Sequence, residues 1–226
     1  MKPWVHLGSA PVPGSHDELQ LWQRDTEFSI RVRGTPYDLM NSRQHGSEEA
    51  LADLALTGLG AAAQRVLIGG LGMGFTLAAA LRTLPGAAQV TVAELVPEVV
   101  TWNHGPLGAV AGHPLRDPRV TVAVADVGEV MRAHPAGFDA ILLDVDNGPE
   151  GMTRAANDAL YGPRGLATAR AALRPGGVLA VWSVEKVPRF TDALTRAGFT
   201  TQVHHPRARQ GRGGKHTVWT GRKGGA

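Results

Sequence analysis

Two acids crowded at the end of an apolar stretch are the residues in this sequence best suited to chemistry. Asp144 and Asp146 follow directly after the apolar residues 141–143, and Asn147 comes next. Carboxylates placed in this way orient an ammonium group or accept its proton, provided that burial raises their pKa. An Asx-type turn before residues 148–149 is the simpler interpretation. A turn does not require two acids, so a chemical role is favoured.

A glycine-rich stretch indicates where a ligand binds. The apolar residues 66–68 run into four glycines within six positions, and an Ala/Leu-rich segment follows at 76–84. This pattern predicts a buried strand, a tight turn and the start of a helix. Glycine lets the backbone approach a ligand closely, and a helix N-terminus favours an anionic or strongly polar group. We expect this loop to bind a nucleotide-type ligand through Gly69, Gly70, Leu71, Gly72, Met73 and Gly74.

Acids also follow the next predicted strands. Glu94 ends the strand at 90–93, about 20 residues beyond the loop, where an acid can accept hydrogen bonds from a ribose diol. Asp126 follows the strand at 120–124 and suits an adenine amine, since a carboxylate accepts hydrogen bonds from a donor. The adjacent Leu95 and Val127 complete the cofactor-binding set. A Gly-x-Gly-x-Gly loop with these acids favours S-adenosylmethionine, and NAD, whose fingerprint is G-x-G-x-x-G, is the alternative.

The strand and helix patterns predict one α/β fold with a small addition at its start. Apolar and polar residues alternate at 21–24 and 28–33, as in half-exposed antiparallel strands. A turn signal at 34–36 makes 37–40 a candidate returning strand. Strands then alternate with helices as far as residue 197, and an antiparallel pair at 199–204 and 216–220 closes the chain. This order favours a Rossmann-like, seven-stranded class I methyltransferase fold. We expect a small N-terminal β element over residues 1–46 and a catalytic domain over 47–226.

The segment before the glycine-rich loop holds further candidates. Ser47 is a plausible N-cap of a helix from Glu48 to about residue 56. Glu48 and Glu49 either complement the helix dipole or contact a cationic substrate, and both interpretations stay open. His45 is a secondary catalytic candidate, although a lone histidine in a polar loop is usually solvated. Tyr161 is another, at the end of a polar segment, 150–163, that is a candidate lid over the site.

Composition excludes several classes of protein. The sequence has no cysteine, so it has no disulfide scaffold and no thiol nucleophile. It has no apolar run long enough to span a membrane, and its start lacks the apolar core of a signal peptide, so we expect a cytoplasmic protein. Two acids without further ligands do not predict a metal. The net charge is +3, with basic residues concentrated at 207–223. Because no aromatic residues alternate with them in the loop at 207–215, we expect a solvated loop and not a nucleic-acid site.

These motifs together resemble the spermidine/spermine synthase family. The resemblance runs from about residue 21 to 183 and rests on the β element, the glycine loop, the acids after the strands and Leu-Arg-Pro-Gly-Gly at 173–177. It implies a small N-terminal β domain on a Rossmann-like domain, and a homodimer. By this likeness Glu94 holds the ribose, Asp126 the adenine, and Asp144 stands where the family's base deprotonates the attacking amine. Gln44 lies near a glutamine of the family's active site.

The sequence also departs from the family pattern. The family's glycine loop carries an aspartate that pairs with the amine of decarboxylated S-adenosylmethionine, whereas this loop has Gly72 and Met73 there. The family's Tyr-His-Glu is replaced by 46–49, and its second strand-four acid by Asn147 or Asp146. We therefore predict methyl transfer to a small amine from S-adenosylmethionine, with Gln44, Glu48, Glu49 and Asn147 as substrate contacts. Aminopropyl transfer from decarboxylated S-adenosylmethionine is the alternative, and a non-catalytic nucleotide-binding domain is a further one.

Overall fold

The structure is a computed structural model that describes residues 2–145, 148–149, 159–209 and 212–225. Two predicted site residues, Asp146 and Asn147, lie outside the described residues, as does most of the predicted lid at 150–163. Within the described part of the chain, no helix is both long and apolar enough to cross a bilayer.

The chain begins with a four-stranded antiparallel sheet. Its strands are β1 (Val5–Pro11), β2 (Glu18–Arg24), β3 (Glu27–Val32) and β4 (Asp38–Asn41), paired in that order. The sequence patterns predicted β2 to β4 and missed β1. Most of β1 is exposed, so it carries little of the apolar alternation that marks a half-buried strand. It forms because the free edge of β2 offers it a hydrogen-bonding partner.

A seven-stranded mixed sheet follows, which confirms the predicted fold class. Its strands are β5 (Arg65–Gly69), β6 (Gln89–Glu94), β7 (Val120–Val124), β8 (Phe138–Leu143), β9 (Leu173–Ser183), β10 (Phe199–His204) and β13 (Thr217–Lys223). Their order is β10-β13-β9-β8-β5-β6-β7, and β13 is antiparallel to both of its neighbours. The strands that follow β5 lie on both of its sides, with β6 and β7 on one side and β8 and β9 on the other. In open α/β sheets, ligands bind where the strand order reverses in this way.

Helices cover both faces of this sheet. They are α1 (Gly46–Leu56), α2 (Phe75–Thr83), α3 (Pro97–His104), α4 (Val127–Ala133), α5 (Pro163–Ala172) and α6 (Pro188–Arg196). The first three pack into one hydrophobic cluster and the last three into another. Buried residues of the N-terminal sheet, including Leu21 and Ile30, belong to the first cluster. A two-stranded ribbon, β11 (Arg207–Arg209) and β12 (Arg212–Lys215), lies between β10 and β13 in the chain.

The start of α1 differs from the sequence prediction. His45 occupies the N-cap position, and Ser47 lies inside the first turn. The Ser47 hydroxyl oxygen instead accepts a hydrogen bond from Trp182 Nε1 at 3.0 Å and lies 2.7 Å from His216 Nδ1. Ser47 is completely buried, so these tertiary partners replace the local cap. The first turn of α1 is thereby anchored to the end of the central sheet.

Candidate active site

One cavity lies at the carboxyl ends of β5, β6, β7 and β8, with a volume of about 220 Å³. The N-terminal sheet and α1 complete its walls. The central sheet and the turns that follow its strands contribute Gly70, Gly72, Glu94, Leu95, Asp126, Val127 and Asp144. The remaining wall contains Val12, Leu19, Ile30, Leu39, Met40, Glu48 and Trp182. Acidic groups and bare backbone therefore share one cavity with an apolar wall.

The turn after β5 requires glycine for steric reasons. Gly70, Gly72 and Gly74 have φ angles of +87°, +51° and +83°, which other residues rarely adopt. A side chain at Gly70 would also collide with the backbone carbonyl of Asp144. A side chain at Gly72 would press on Met40 Sδ at 3.1 Å. Gly70 and Gly72 line the cavity, so their backbone is open to a ligand.

The other predicted loop residues face away from the cavity. Leu71 and Met73 are buried in the first hydrophobic cluster, with 5% and 2% exposure. A β-carbon at Gly69 would lie 2.8 Å from Val127 Cγ2, so glycine there permits β5 to pack against α4. Gly74 precedes α2, beside Pro114 and Asn103. These four residues shape the loop, and any ligand contact from Leu71 or Met73 would come from the backbone.

Glu94 organises the loop as well as lining the cavity. Its Oε2 accepts a hydrogen bond from Leu71 N at 2.8 Å, and its Oε1 accepts one from Val96 N at 2.9 Å. Burial raises the pKa of Glu94, and these backbone hydrogen bonds oppose the rise. The backbone of Leu95 and Gly72 also acts on this carboxylate, which can only accept hydrogen bonds and is therefore suited to a donor group of a ligand. The neighbouring Leu95 is 40% exposed and lines the same cavity.

Asp126 has a more open position. It is the N-cap of α4, and its Oδ1 accepts a hydrogen bond from Glu129 N at 3.0 Å. Its side chain is 54% exposed, with Arg132 Nη2 3.9 Å from Oδ1. Asp126 and the buried Val127 both line the cavity. The position is compatible with accepting a hydrogen bond from an exocyclic amine at the outer end of the cavity.

Asp144 directly follows the last residue of β8 and lines the cavity. Its backbone N donates to the carbonyl of Gly69 at 2.9 Å, and its Oδ2 accepts a hydrogen bond from Thr76 Oγ1 at 2.6 Å. Burial raises the pKa of Asp144 to about 6, against the opposing effect of the Thr76 hydroxyl. Near neutral pH this carboxyl group can therefore exchange a proton with a ligand.

Glu48 places a second carboxyl group in the same cavity. It comes from α1 and lines the cavity together with Asp144. Burial is the main cause of a pKa well above the usual range for Glu48, and the negative charges of Asp144 and Glu49 raise it further. The Oε2 atom of Glu48 is buried and has no hydrogen-bond partner among the described residues. The cavity thus contains two acids, Glu48 and Asp144, whose pKa values lie above those of solvated surface acids.

The structure does not bring His45, Glu49 or Gln44 to this cavity. His45 stacks on Phe75 with ring centroids 4.1 Å apart, and its Nδ1 is 3.4 Å from Glu49 Oε1. Glu49 faces a separate surface cavity and lies 3.5 Å from Arg82 Nη2. Gln44 is exposed in the turn that precedes α1. Adjacent acids on a helix point in different directions, which explains why Glu48 and Glu49 have separate surroundings.

Tyr161 also lies outside the cavity lining. It is 5% exposed, packs edge-to-face on Phe190 in the second hydrophobic cluster, and donates a hydrogen bond to the carbonyl of Val145 at 3.3 Å. Its neighbour Leu160 lines the cavity instead. The contact with Val145 supports the segment that follows Asp144 and leaves the hydroxyl group away from the ligand space.

Two polar residues that the sequence patterns missed support the site. Thr76 orients Asp144, and the signal that could have indicated it is its place in the first turn after the glycine loop. Asn103 donates from Nδ2 to the carbonyl of Gly72 at 2.8 Å and to that of Val99 at 2.9 Å. No local pattern marks Asn103, because α3 approaches the loop only in the folded protein. Among the described residues, no three acidic or histidine side chains form a cluster that could hold a metal.

Comparison with solved structures identifies the fold that this chain shares with known proteins. No family model matches the chain. A spermidine synthase from Thermotoga maritima has a TM-score of 0.75 at 19% identity, over 97% of this chain and 73% of that one. A Burkholderia thailandensis 1,6-didemethyltoxoflavin-N1-methyltransferase, with bound 1,6-didemethyltoxoflavin and S-adenosylhomocysteine, has a TM-score of 0.56 at 22% identity, over 79% and 78%. The chain therefore has the fold shared by spermidine synthases and these methyltransferases.

Sequence comparison finds similarity to one kind of transferase within this fold. The chain is 31% identical over 152 residues to the polyamine aminopropyltransferases of Mycobacterium tuberculosis and Mycobacterium bovis, over 63% of its own length. The chain spans 28% of the length of these curated relatives. Together with the fold, this similarity confirms the resemblance to spermidine synthases that the motifs indicated.

Proposed function

We propose that this protein transfers an aminopropyl group from decarboxylated S-adenosylmethionine to a small primary amine of the polyamine type. The observation that carries the proposal is Asp144, a carboxyl group with a pKa of about 6 in the same cavity as the groups suited to a nucleoside. The names of the curated relatives favour this alternative over the methyl transfer that the sequence motifs favoured. The activity, the donor and the acceptor are all part of the proposal.

The residues present fit the nucleoside donor. Glu94 accepts hydrogen bonds from the ribose hydroxyl groups, Asp126 accepts one from the adenine amine, and the backbone at Gly70 and Gly72 contacts the chain that bears the sulfur. The positive φ angles favour glycine at both positions, and without side chains the backbone there is open to the ligand. When bound, the donor supplies an electrophilic carbon next to a sulfonium leaving group.

Asp144 takes the proton of the acceptor amine. A primary amine is an ammonium ion in neutral water and has no lone pair with which to attack. Above about pH 6 Asp144 is ionised, so it can accept one proton from the ammonium ion and leave a neutral amine in place. The amine then forms the new C–N bond as the C–S bond breaks, and methylthioadenosine leaves with the sulfur electron pair. Thr76 keeps the Asp144 carboxylate in position.

Methyl transfer is the second candidate, and one observation favours it. The glycine loop carries no acid at Leu71, Gly72 or Met73, so the loop itself does not repel the α-carboxylate of complete S-adenosylmethionine. The acids Glu48 and Asp144 act in the opposite direction, because like charges in a poorly solvated cavity repel one another. We therefore favour the decarboxylated donor.

The released nucleoside distinguishes the two reactions. The protein is incubated with either donor and 1,4-diaminobutane, and the products are separated by chromatography with mass detection. Aminopropyl transfer releases methylthioadenosine, whereas methyl transfer releases S-adenosylhomocysteine. We expect methylthioadenosine, and a loss of about 100-fold or more in kcat for Asp144→Asn. Asp192→Asn, an exposed change on α6, is the control. Release of S-adenosylhomocysteine alone would refute the proposal.

A further inference from the structure

We propose that Glu48 is an ammonium-binding residue, whose Oε2 accepts a hydrogen bond from a primary ammonium group of a ligand in the cavity. The inference rests on the proposed function for the identity of the ligands, and on the structure for the site. Glu48 lines the cavity, and its Oε2 is buried without a hydrogen-bond partner in the described part of the chain. Such an atom loses its contact with water and gains nothing from the protein in return.

The energetic argument is that an unpartnered carboxyl group deep in a protein is costly. Leaving a buried polar atom unsatisfied is unfavourable, and more so when the group is charged. No described lysine, arginine or histidine forms an ion pair with Glu48 or Asp144. The charged groups that act on Glu48 are instead two further acids, Asp144 and Glu49. A cation brought in by a ligand would satisfy this arrangement.

The geometry selects a primary ammonium group among cations. An ammonium group has three donor hydrogens, so it can serve Glu48 and Asp144 together. A metal ion is disfavoured, since the described residues offer no third acidic or histidine ligand. The apolar wall, which includes Ile30 and Met40, fits the carbon chain of an alkylamine. The site therefore suits a primary alkylammonium ion.

Two ligands of the proposed reaction carry this group: the propylammonium arm of the donor and the free end of the acceptor. Binding measurements separate them. Decarboxylated S-adenosylmethionine is compared with methylthioadenosine, which has the same nucleoside without the ammonium group. The diamine 1,4-diaminobutane is titrated separately into protein saturated with methylthioadenosine. Each titration uses isothermal calorimetry on the wild-type protein, Glu48→Gln and Glu49→Gln.

We expect Glu48→Gln to lower the affinity for one ammonium-bearing ligand by about 10- to 100-fold, since a hydrogen bond to a charged group contributes about 1.5–3 kcal/mol. Methylthioadenosine should bind within about twofold of wild type. The weakened ligand identifies the source of the ammonium group. Glu49→Gln, which removes the same charge from the next residue of α1, should weaken the binding of neither ligand, because losing the Glu49 charge favours the ionised form of Glu48. Equal weakening of methylthioadenosine, or no effect on either ammonium ligand, would overturn the inference.

Proton release on ligand binding provides a second measurement. A ligand ammonium group that pairs with Glu48 favours its ionised form, so binding should release a proton. Calorimetry from pH 5 to pH 8 in buffers of different ionisation enthalpy counts that proton, and Glu48→Gln should reduce the count. Absence of proton release across this whole range in the wild-type protein contradicts the inference. These results are independent of the product test. If the wild-type protein forms methylthioadenosine but Glu48→Gln binds both ammonium-bearing ligands as tightly as wild type, only the role of Glu48 is refuted.

Discussion

At the scale of single residues, Asp144 combines a predicted position with an unpredicted environment. Its place after an apolar strand predicted a role in orienting or deprotonating an amine. The structure adds the hydrogen bond from Thr76 and the nearby Glu48. These neighbours come from α1 and α2. A raised pKa is also a statement about stability, because the folded protein then holds a proton more tightly than the unfolded chain does.

Asp144 should make the ligand-free protein less stable as the pH rises. Its pKa is about 6 in the folded protein and 3.8 by itself, so the unfolded chain loses the proton first. The free energy of unfolding therefore falls between about pH 4 and pH 6, by about 3 kcal/mol for this group. Asp144→Asn should flatten the fall and be more stable than wild type at pH 7. Urea denaturation from pH 4 to pH 7 measures this effect. Parallel curves for the two proteins would contradict it.

Gly70 should not tolerate a side chain. Gly70→Ala combines a φ of +87° with a collision between the new methyl group and the Asp144 carbonyl. We expect a lower melting temperature and a loss of nucleoside binding, measured by thermal denaturation with and without methylthioadenosine. Gly86→Ala is the matched control, because nothing lies within 4 Å of a β-carbon there. Similar behaviour of the two variants would show that the turn after β5 can rearrange.

At the scale of elements, the anchoring of α1 determines where Glu48 lies. The Trp182 indole can only donate, so Ser47 accepts from it and donates its own hydrogen to His216 Nδ1. Burial lowers the pKa of His216, which favours the neutral ring that this hydrogen bond requires. The site acid on α1 is thus held from β9 and from the residue before β13.

Ser47→Ala should therefore affect both stability and binding. It leaves the Trp182 and His216 nitrogens without a partner, and we expect a loss of about 1–3 kcal/mol in the free energy of unfolding. It should also lower the affinity for the ammonium-bearing ligand more than that for methylthioadenosine, because Glu48 is the next residue. Thr195→Ala, an exposed hydroxyl deletion on α6, is the control. A variant that binds both ligands as tightly as wild type does would show that α1 needs no such anchor.

At the scale of the whole molecule, the N-terminal sheet and the larger sheet share one hydrophobic cluster. Leu21 and Ile30 are completely buried in it, together with Leu51 of α1 and Ile68 of β5. The predicted boundary at residue 46 and the predicted homodimer stay predictions. Light scattering after size-exclusion chromatography would check the second.

The shared cluster predicts a single unfolding transition. Leu21→Ala should lower the stability by about 2–5 kcal/mol through the cavity that it leaves, and it should do so for both sheets together. Tryptophan fluorescence, to which Trp4 and Trp22 of the N-terminal segment contribute, is compared with circular dichroism at 222 nm. Coincident curves are expected for wild type and for the variant. A fluorescence transition well below the dichroism transition would mean that the N-terminal sheet unfolds by itself.

The sequence by itself determined the alternation of strands and helices, the glycine turn after β5, and the acids Glu94, Asp126 and Asp144 at the ends of strands. Each of these follows from neighbours in the chain, because apolar runs make strands and only glycine accepts the turn. The tertiary structure alone decided that Glu48 joins Asp144 while Glu49 faces away, that Thr76 and Asn103 support the site, and that the N-terminal sheet completes the cavity. Those contacts join residues far apart in the chain, so they depend on how whole elements pack, which no local spacing records.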